Sequence, residues 1–278
     1  MAVPNPWLER RIFHWAHQGG AREAPSNTLH AMKRALAAGA HGLELDVHCT
    51  RDQRVVMIHD ARLERTTNGR GKVADKTLDE LRRLDAAFWW VPGEIDNHDP
   101  STAVERYELR GRAPADEDLR IPTLDELLER YPSTPLTIEV KSPAAAEPVV
   151  RLLHEHSRSG DVIVTSFKDS TVRTLRRASP ELHVAPGPLW SIWFTARARL
   201  RVPPRDSPYV ALQSPRRFKF VPVLNRRVVA AARRAGMAVH AWTIDEEDEM
   251  RELIAMGVDG IMTDRPTVLS KVLETSPS

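Results

Sequence analysis

The chain has 278 residues and a mass of 31.3 kDa, room for one large domain or two small ones, and a (β/α) barrel takes about 250 residues. Its 40 basic and 38 acidic residues nearly cancel, and the small excess is spread along the chain, which argues against a nucleic-acid binder with a basic stripe. The one cysteine, Cys49, excludes an intramolecular disulfide framework and favours a reducing, cytoplasmic home; no apolar run nears the ~20 residues of a membrane span, and the opening MAVPNPWLERRIF lacks a secretory apolar stretch.

Short apolar segments alternate with helical patterns along the chain. Ile12 to His17 reads as a strand. Asn27 to Ala38 reads as a helix with Leu29, Met32, Ala35 and Leu36 on one face, closed by Gly39. Gly42 to Val47 is a second strand, and Arg54 to His59 extends or follows it after a turn at Arg51-Asp52-Gln53. Asp60 to Pro122 breaks the rhythm, with a short helix near Leu78 to Leu84 inside a Pro-, Gly- and charge-rich stretch. An insertion of this size is commonly a lid or substrate-contact element.

The rhythm then resumes. Pro135 to Lys141 is a strand, Ala145 to His156 a helix, Val162 to Ser166 a strand, and Asp169 to Ala178 a helix. Leu182 to Ala185 and Tyr209 to Leu212 are weaker strands, and Asn225 to Ala235 is a helix. Ala238 to Thr243 is a strand, Glu246 to Met256 a helix, Val258 to Thr263 the last strand, and Pro266 opens a final helix, with a frayed tail after Lys271. About eight strand–helix units imply a parallel sheet closed into a (β/α)8 TIM barrel, an α/β fold with a small insertion after the second strand. The barrel spans about 12–274 within a single domain 1–278, with the insertion at about 60–122. No G-x-G-x-x-G follows the first strand, which disfavours a dinucleotide fold.

In such a barrel the active site lies at the C-terminal ends of the strands. His17 ends the first strand. Glu44 and Asp46 share one face of the second, and Glu139 and Lys141 repeat that spacing in the third. His59 and Asp60 end the segment after the second strand, and Trp242 lies near the end of the seventh. Carboxylates inside apolar strands need compensation. Glu44, Asp46 and Glu139, with no cysteine nearby, select a hard divalent cation, Mg²⁺ or Ca²⁺. The alternative is an internal ion pair of Glu44 or Glu139 with Lys141 or an arginine. Lys141 with a cation would receive a phosphodiester, and His17 and His59 would exchange protons with the attacking and leaving oxygens. The other histidines, including His14, His30, His41 and His48, are read as structural, with His48 facing the helices.

These residues fall into an ordered set: His17-Gln18-Gly19-Gly20, Ser26-Asn27-Thr28, Glu44-Leu45-Asp46, His59-Asp60, Arg65-Thr66-Thr67, Glu139-Val140-Lys141, Trp242-Thr243-Ile244-Asp245 and Gly257-Val258-Asp259-Gly260-Ile261. In that order, from about Phe13 to Pro266, the chain resembles the glycerophosphodiester phosphodiesterases. The resemblance implies a (β/α)8 barrel hydrolase that cleaves glycerophosphodiesters to glycerol 3-phosphate and an alcohol. By motif it implies His17 and His59 as the acid/base pair and Glu44, Asp46 and Glu139 as metal ligands. Lys141 would contact the phosphate, Asn27 would support the site, and Gln18 and Trp242 would lie in the substrate site. Two positions depart from the family. Gln18 stands where an arginine is usual, removing one charge-assisted contact, and Ser26 stands where a glutamate is usual. Altered substrate choice is expected from them, not lost activity.

A lysophospholipase D-like cleavage of lysophospholipids is the alternative. Phe88, Trp89, Trp90, Trp190, Trp193 and Phe194 could then line an acyl site or make a peripheral membrane contact. A non-catalytic phosphate-binding barrel would be expected to lack a histidine or a metal carboxylate, and this chain lacks neither.

Overall fold

The structure is a computed structural model that describes residues 5–8, 12–95, 101–202 and 206–275. Its main sheet contains eight parallel strands: β1 (Phe13–Ala16), β2 (Gly42–Cys49), β3 (Leu136–Val140), β4 (Val162–Thr165), β5 (His183–Val184), β6 (Ala211–Pro215), β7 (Ala238–Trp242) and β8 (Gly260–Thr263). Their spatial order is β5-β4-β3-β2-β1-β8-β7-β6, with β1 between β2 and β8. The two ends of this order approach each other, and the Val210 N–H donates to the Val184 carbonyl at 3.2 Å. The result is a nearly closed (β/α)8 barrel, as its repeated strand–helix pattern predicts.

Strand alternation sorts the side chains. Leu43, Leu45 and Val47 of β2 and Leu136, Ile138 and Val140 of β3 enter the core between sheet and helices, which leaves Glu44, Asp46 and Glu139 facing the barrel interior. The lower interior is apolar and aromatic, with Phe13, Trp15, Ile163, Ala211, Ala238 and Met262 packed together. Trp7, on a short 3-10 turn (Pro6–Leu8), joins this cluster and donates its indole N–H to His183 Nδ1 at 3.0 Å.

The boundaries differ from the sequence reading in instructive places. Of the two readings open for the segment after β2, Val55–Met57 follows the turn and does not extend the strand. It folds back antiparallel on it, with Val47 opposite Met57. Gln53 at φ 60° makes the turn, and the Thr50 N–H donates to the Arg54 carbonyl at 2.9 Å. The helix expected over Leu78 to Leu84 is Leu78–Leu81, started by a Thr77–Glu80 capping box. The last helix runs on to Thr275, so the tail after Lys271 is ordered that far, and residues 276–278 lie outside the described ones. A small antiparallel hairpin, Arg217–Phe218 against Val221–Pro222, follows β6 and has no counterpart in the sequence reading.

The insertion forms its own small apolar clusters, one around Leu63, Val73, Leu81 and Ile121 and another of Ala87, Ala113 and Leu119. Phe88, Trp89 and Tyr107 surround the Arg110 guanidinium, whose centre lies 3.4 Å from the Tyr107 ring centroid. Trp90 is buried and donates to the Ala21 carbonyl at 3.0 Å, which ties the insertion to the loop after β1. The expected acyl-site aromatics are thus divided. Phe88, Trp89 and Trp90 pack within the insertion and against that loop. Phe194 is buried and stacked on Trp190, whereas Trp193 is exposed.

Two predictions follow from the barrel interior. A Cβ at Gly42 would lie 2.7 Å from both the Pro135 carbonyl oxygen and Trp15 Cζ3. Gly42→Ala should therefore lower stability by about 1–3 kcal/mol, read as a lower urea midpoint at constant m-value. His240 is fully buried with no hydrogen-bond partner for either ring nitrogen, and burial pushes its pKa down to about 3. Above pH ~6.5 the ring is neutral folded or unfolded. Below that pH the unfolded chain takes up the proton first, so stability falls until pH ~3. His240→Leu should flatten this loss by on the order of 2 kcal/mol at pH 4.5 in urea titrations across pH. Some loss should remain, because burial also lowers the His14 pKa to about 3.

Candidate active site

At the strand ends the apolar interior gives way to charge. Glu44, Asp46 and Glu139 are buried and present carboxylate oxygens all within 4.8 Å of one another. The β2–β3 register creates this cluster by setting Asp46 directly beside Glu139. Lys141, just past β3, places Nζ 3.0 Å from Asp46 and 2.9 Å from Glu139. The internal ion pair weighed from sequence therefore exists, and the carboxylate cluster exists with it.

The loop after β1 supplies the remaining polar contacts. Asn27, held at φ 56°, donates to Asp46 Oδ2 at 3.0 Å and accepts from the Asp46 N–H at 3.0 Å. Gln18, at φ 52°, donates its backbone N–H to Glu44 Oε2 at 3.0 Å. Both residues occupy left-handed conformations that cost energy for a side chain with a Cβ, and both contact the carboxylates.

Each histidine predicted from sequence has a carboxylate on Nδ1. His17 Nδ1 lies 2.6 Å from Asp264 Oδ1, and its Nε2 lies 3.8 Å from Glu44. His59 Nδ1 lies 2.6 Å from Asp60 Oδ1, and Arg65 holds Asp60 through Nε at 2.6 Å. Such partners fix the ring and its tautomer, and leave Nε2 toward the site. Asp264 in turn accepts no freedom of its own. Its backbone N–H donates to Asp245 Oδ1 at 2.8 Å, and Arg22 Nε donates to Asp245 Oδ2 at 3.0 Å. Arg22 also donates to the Gly93 carbonyl of the insertion at 2.9 Å.

The roles of Asp264, Asp245 and Arg22 were not assigned from sequence. The signal for Asp264 was available, since it directly follows the last strand. His48 is a correction. It lies two residues beyond Asp46 and so shares its face, and its Nε2 is 3.1 Å from the His59 carbonyl. Burial lowers its pKa, with the charges of Lys141 and His59 adding to the effect. Trp242 is half-buried and meets the exposed Phe167 edge-on at 5.6 Å, with Lys141 Nζ 5.7 Å from the Phe167 ring centroid.

Burial sets the electrostatics. It pushes Glu44 up to about 8, reinforced by the Asp46 charge and opposed by His17. Burial also raises Glu139, against the pull of Lys141. Asp46 is lowered because Lys141, His59 and His17 together outweigh its burial. His17 is raised to about 10, since Glu44 and Asp264 outweigh the burial that opposes its charge. Three buried carboxylates, two of them raised by burial, fit a hard divalent cation, which would supply the missing positive charge and favour their ionised forms.

Residues 17–268 match one protein-family model. A glycerophosphodiester phosphodiesterase of Caldanaerobacter subterraneus subsp. tengcongensis is 33% identical over 259 residues, covering 91% of this chain and 94% of that one. The glycerophosphoryl diester phosphodiesterase domain of Rv2277c from Mycobacterium tuberculosis superposes with a TM-score of 0.78 at 21% identity, covering 94% of this chain and 99% of that one. A phosphodiesterase of Oleispira antarctica, in complex with the product sn-glycerol-3-phosphate, superposes with a TM-score of 0.70 at 24% identity, covering 96% and 97%. The chain is a phosphoric diester hydrolase built on a (β/α)8 barrel. It belongs to the glycerophosphoryl diester phosphodiesterase family, the family matched by residues 17–268.

The Asp264 contact can be tested without turnover. In chelator-treated protein, Asp264→Asn should move the His17 NMR titration midpoint down from about 10 toward the ordinary imidazole range. An unchanged midpoint would show that Asp264 does not stabilise the charged ring.

Proposed function

We propose that this protein hydrolyses glycerophosphodiesters to glycerol 3-phosphate and an alcohol, with His17 and His59 as the proton-transfer pair. One observation carries the reading: two histidines, each anchored through Nδ1 by a carboxylate, border a buried cluster of three carboxylates and a lysine. Glu44, Asp46 and Glu139 would hold Mg²⁺ or Ca²⁺, whose charge would polarise a phosphate oxygen. Lys141 lies beside them and contributes a cation to the same phosphate.

His17 suits the proton donor. Asp264 and Glu44 favour its charged form, so it can protonate the leaving alkoxide. His59 suits the acceptor. An Nδ1 proton directed at Asp60 leaves the Nε2 lone pair free to take a proton from the attacking oxygen, which is a substrate hydroxyl or water. Asn27 orients Asp46, and the Gln18 backbone orients Glu44. The Gln18 side chain offers substrate a neutral hydrogen bond, weaker than a charged contact. Trp242 and Phe167 form an apolar wall at the mouth. This wall favours a lysophospholipase D-like cleavage as the second reading. A buried, unpaired Cys49 supports a reducing cytoplasmic setting.

The test is release of glycerol 3-phosphate from glycerophosphocholine. Chelation should abolish it, and Mg²⁺ or Ca²⁺ should restore it. His17→Ala and His59→Ala should each lower kcat by roughly a hundredfold or more. Full activity in His17→Ala would overturn the mechanism. Faster turnover of lysophosphatidylcholine in the same assay would shift the assignment to the second reading.

A further inference from the structure

Most large apolar side chains exposed among the described residues gather on one part of the barrel rim. Leu189 and Ile192 are 70% and 67% exposed in the first turns of the helix Pro188–Arg199, where Trp193 is also exposed. Phe218 and Phe220 are 66% and 94% exposed on the hairpin after β6. Phe167, 57% exposed, stands on the loop after β4 beside Trp242 and Lys141. These loops follow β4, β5 and β6, so all three rise from the strand-end face that carries the site. A nearly bare phenylalanine at a hairpin tip contributes nothing to the core, and grouped apolar exposure of this kind marks a binding surface.

Exposed cations stand among the aromatic rings of this rim. Arg216 is neutralised by Glu249 and Glu252. Arg217 and Lys219 are exposed and alternate along the hairpin with Phe218 and Phe220. Arg197 lies 5.2 Å from the Trp193 ring centroid. Aromatic rings interleaved with cations fit the boundary of an anionic bilayer, where rings enter the headgroup layer and cations meet lipid phosphates. A second copy of the chain is a poor occupant, because a two-fold contact through this face would set the same cations against each other.

We propose that this rim docks on an anionic lipid bilayer and turns the mouth of the barrel toward the membrane plane. The surface stands whether the substrate is a free glycerophosphodiester or a lysophospholipid. It is tested by co-sedimentation with vesicles of phosphatidylcholine alone and of equal parts phosphatidylcholine and phosphatidylglycerol. The native chain should bind the anionic vesicles and leave the neutral ones largely unbound, and added salt should release it. The double variant Phe218→Ser/Phe220→Ser should lower the partition coefficient at least tenfold. Arg217→Gln/Lys219→Gln should lower it by about fivefold per cation removed. Both variants should hydrolyse soluble glycerophosphocholine at the native rate, which separates this surface from the site. Equal binding to both vesicle types, or undiminished binding by the Phe218/Phe220 variant, would overturn the proposal. So would self-association in sedimentation velocity that the same variant abolishes, since the face would then belong to a dimer. If the native chain binds vesicles but releases no glycerol 3-phosphate, the substrate reading fails and the docking surface survives.

Discussion

Three carboxylates buried within 4.8 Å of one another are the constraint around which the upper barrel is organised. Burial penalises each charge, and their mutual repulsion adds to the penalty. The fold answers with every kind of compensation available to it. Lys141 gives a full charge to Asp46 and Glu139, Asn27 gives Asp46 a side-chain donor, and the Gln18 backbone gives Glu44 another. Burial still pushes Glu44 up to about 8. The cluster thus keeps a deficit of positive charge that a divalent cation would fill.

That constraint explains the strained backbone after β1. The loop must bring one N–H and one amide side chain to two different carboxylates within a short run. It does so with Gln18 and Asn27 both at positive φ. Strain of this kind persists only where the surroundings over-determine it. Here the Gln18 N–H to Glu44 and the paired Asn27–Asp46 hydrogen bonds do so. The departure at Gln18 looks different in this light. The position serves the carboxylate cluster through its main-chain N–H, a contact that does not depend on whether the side chain is arginine or glutamine.

A second line of support runs outward from His17. Asp264 holds the ring, Asp245 holds the Asp264 main chain, and Arg22 links Asp245 to Gly93 of the insertion. The insertion is therefore wired to one histidine of the pair through four successive hydrogen bonds. It also packs its own aromatic cluster around Arg110 and plugs Trp90 against Ala21. Its sequence suggested a lid or substrate-contact element. Its observed contacts fasten it to the loop after β1.

The strand–helix rhythm, the eight parallel strands and the carboxylate pair at Glu44 and Asp46 were all legible in the sequence, because alternation along a strand is a local property that fixes which side chains share a face. The same rule places His48 on the Asp46 face, where the structure has it. Local patterns ran out where pairing decided the outcome. The turn at Arg51-Asp52-Gln53 was legible, but only strand pairing decided that Val55–Met57 returns along β2 instead of extending it. Which carboxylate faces which histidine depends on contacts across nearly the whole chain, as in His17 with Asp264. So does the position of Lys141 between Asp46 and Glu139, which the β2–β3 register sets. Residue type and spacing determined what chemistry the strand ends could hold. Only closure of the barrel decided which groups meet, because side chains distant in sequence acquire fixed distances only when the strands that carry them pack.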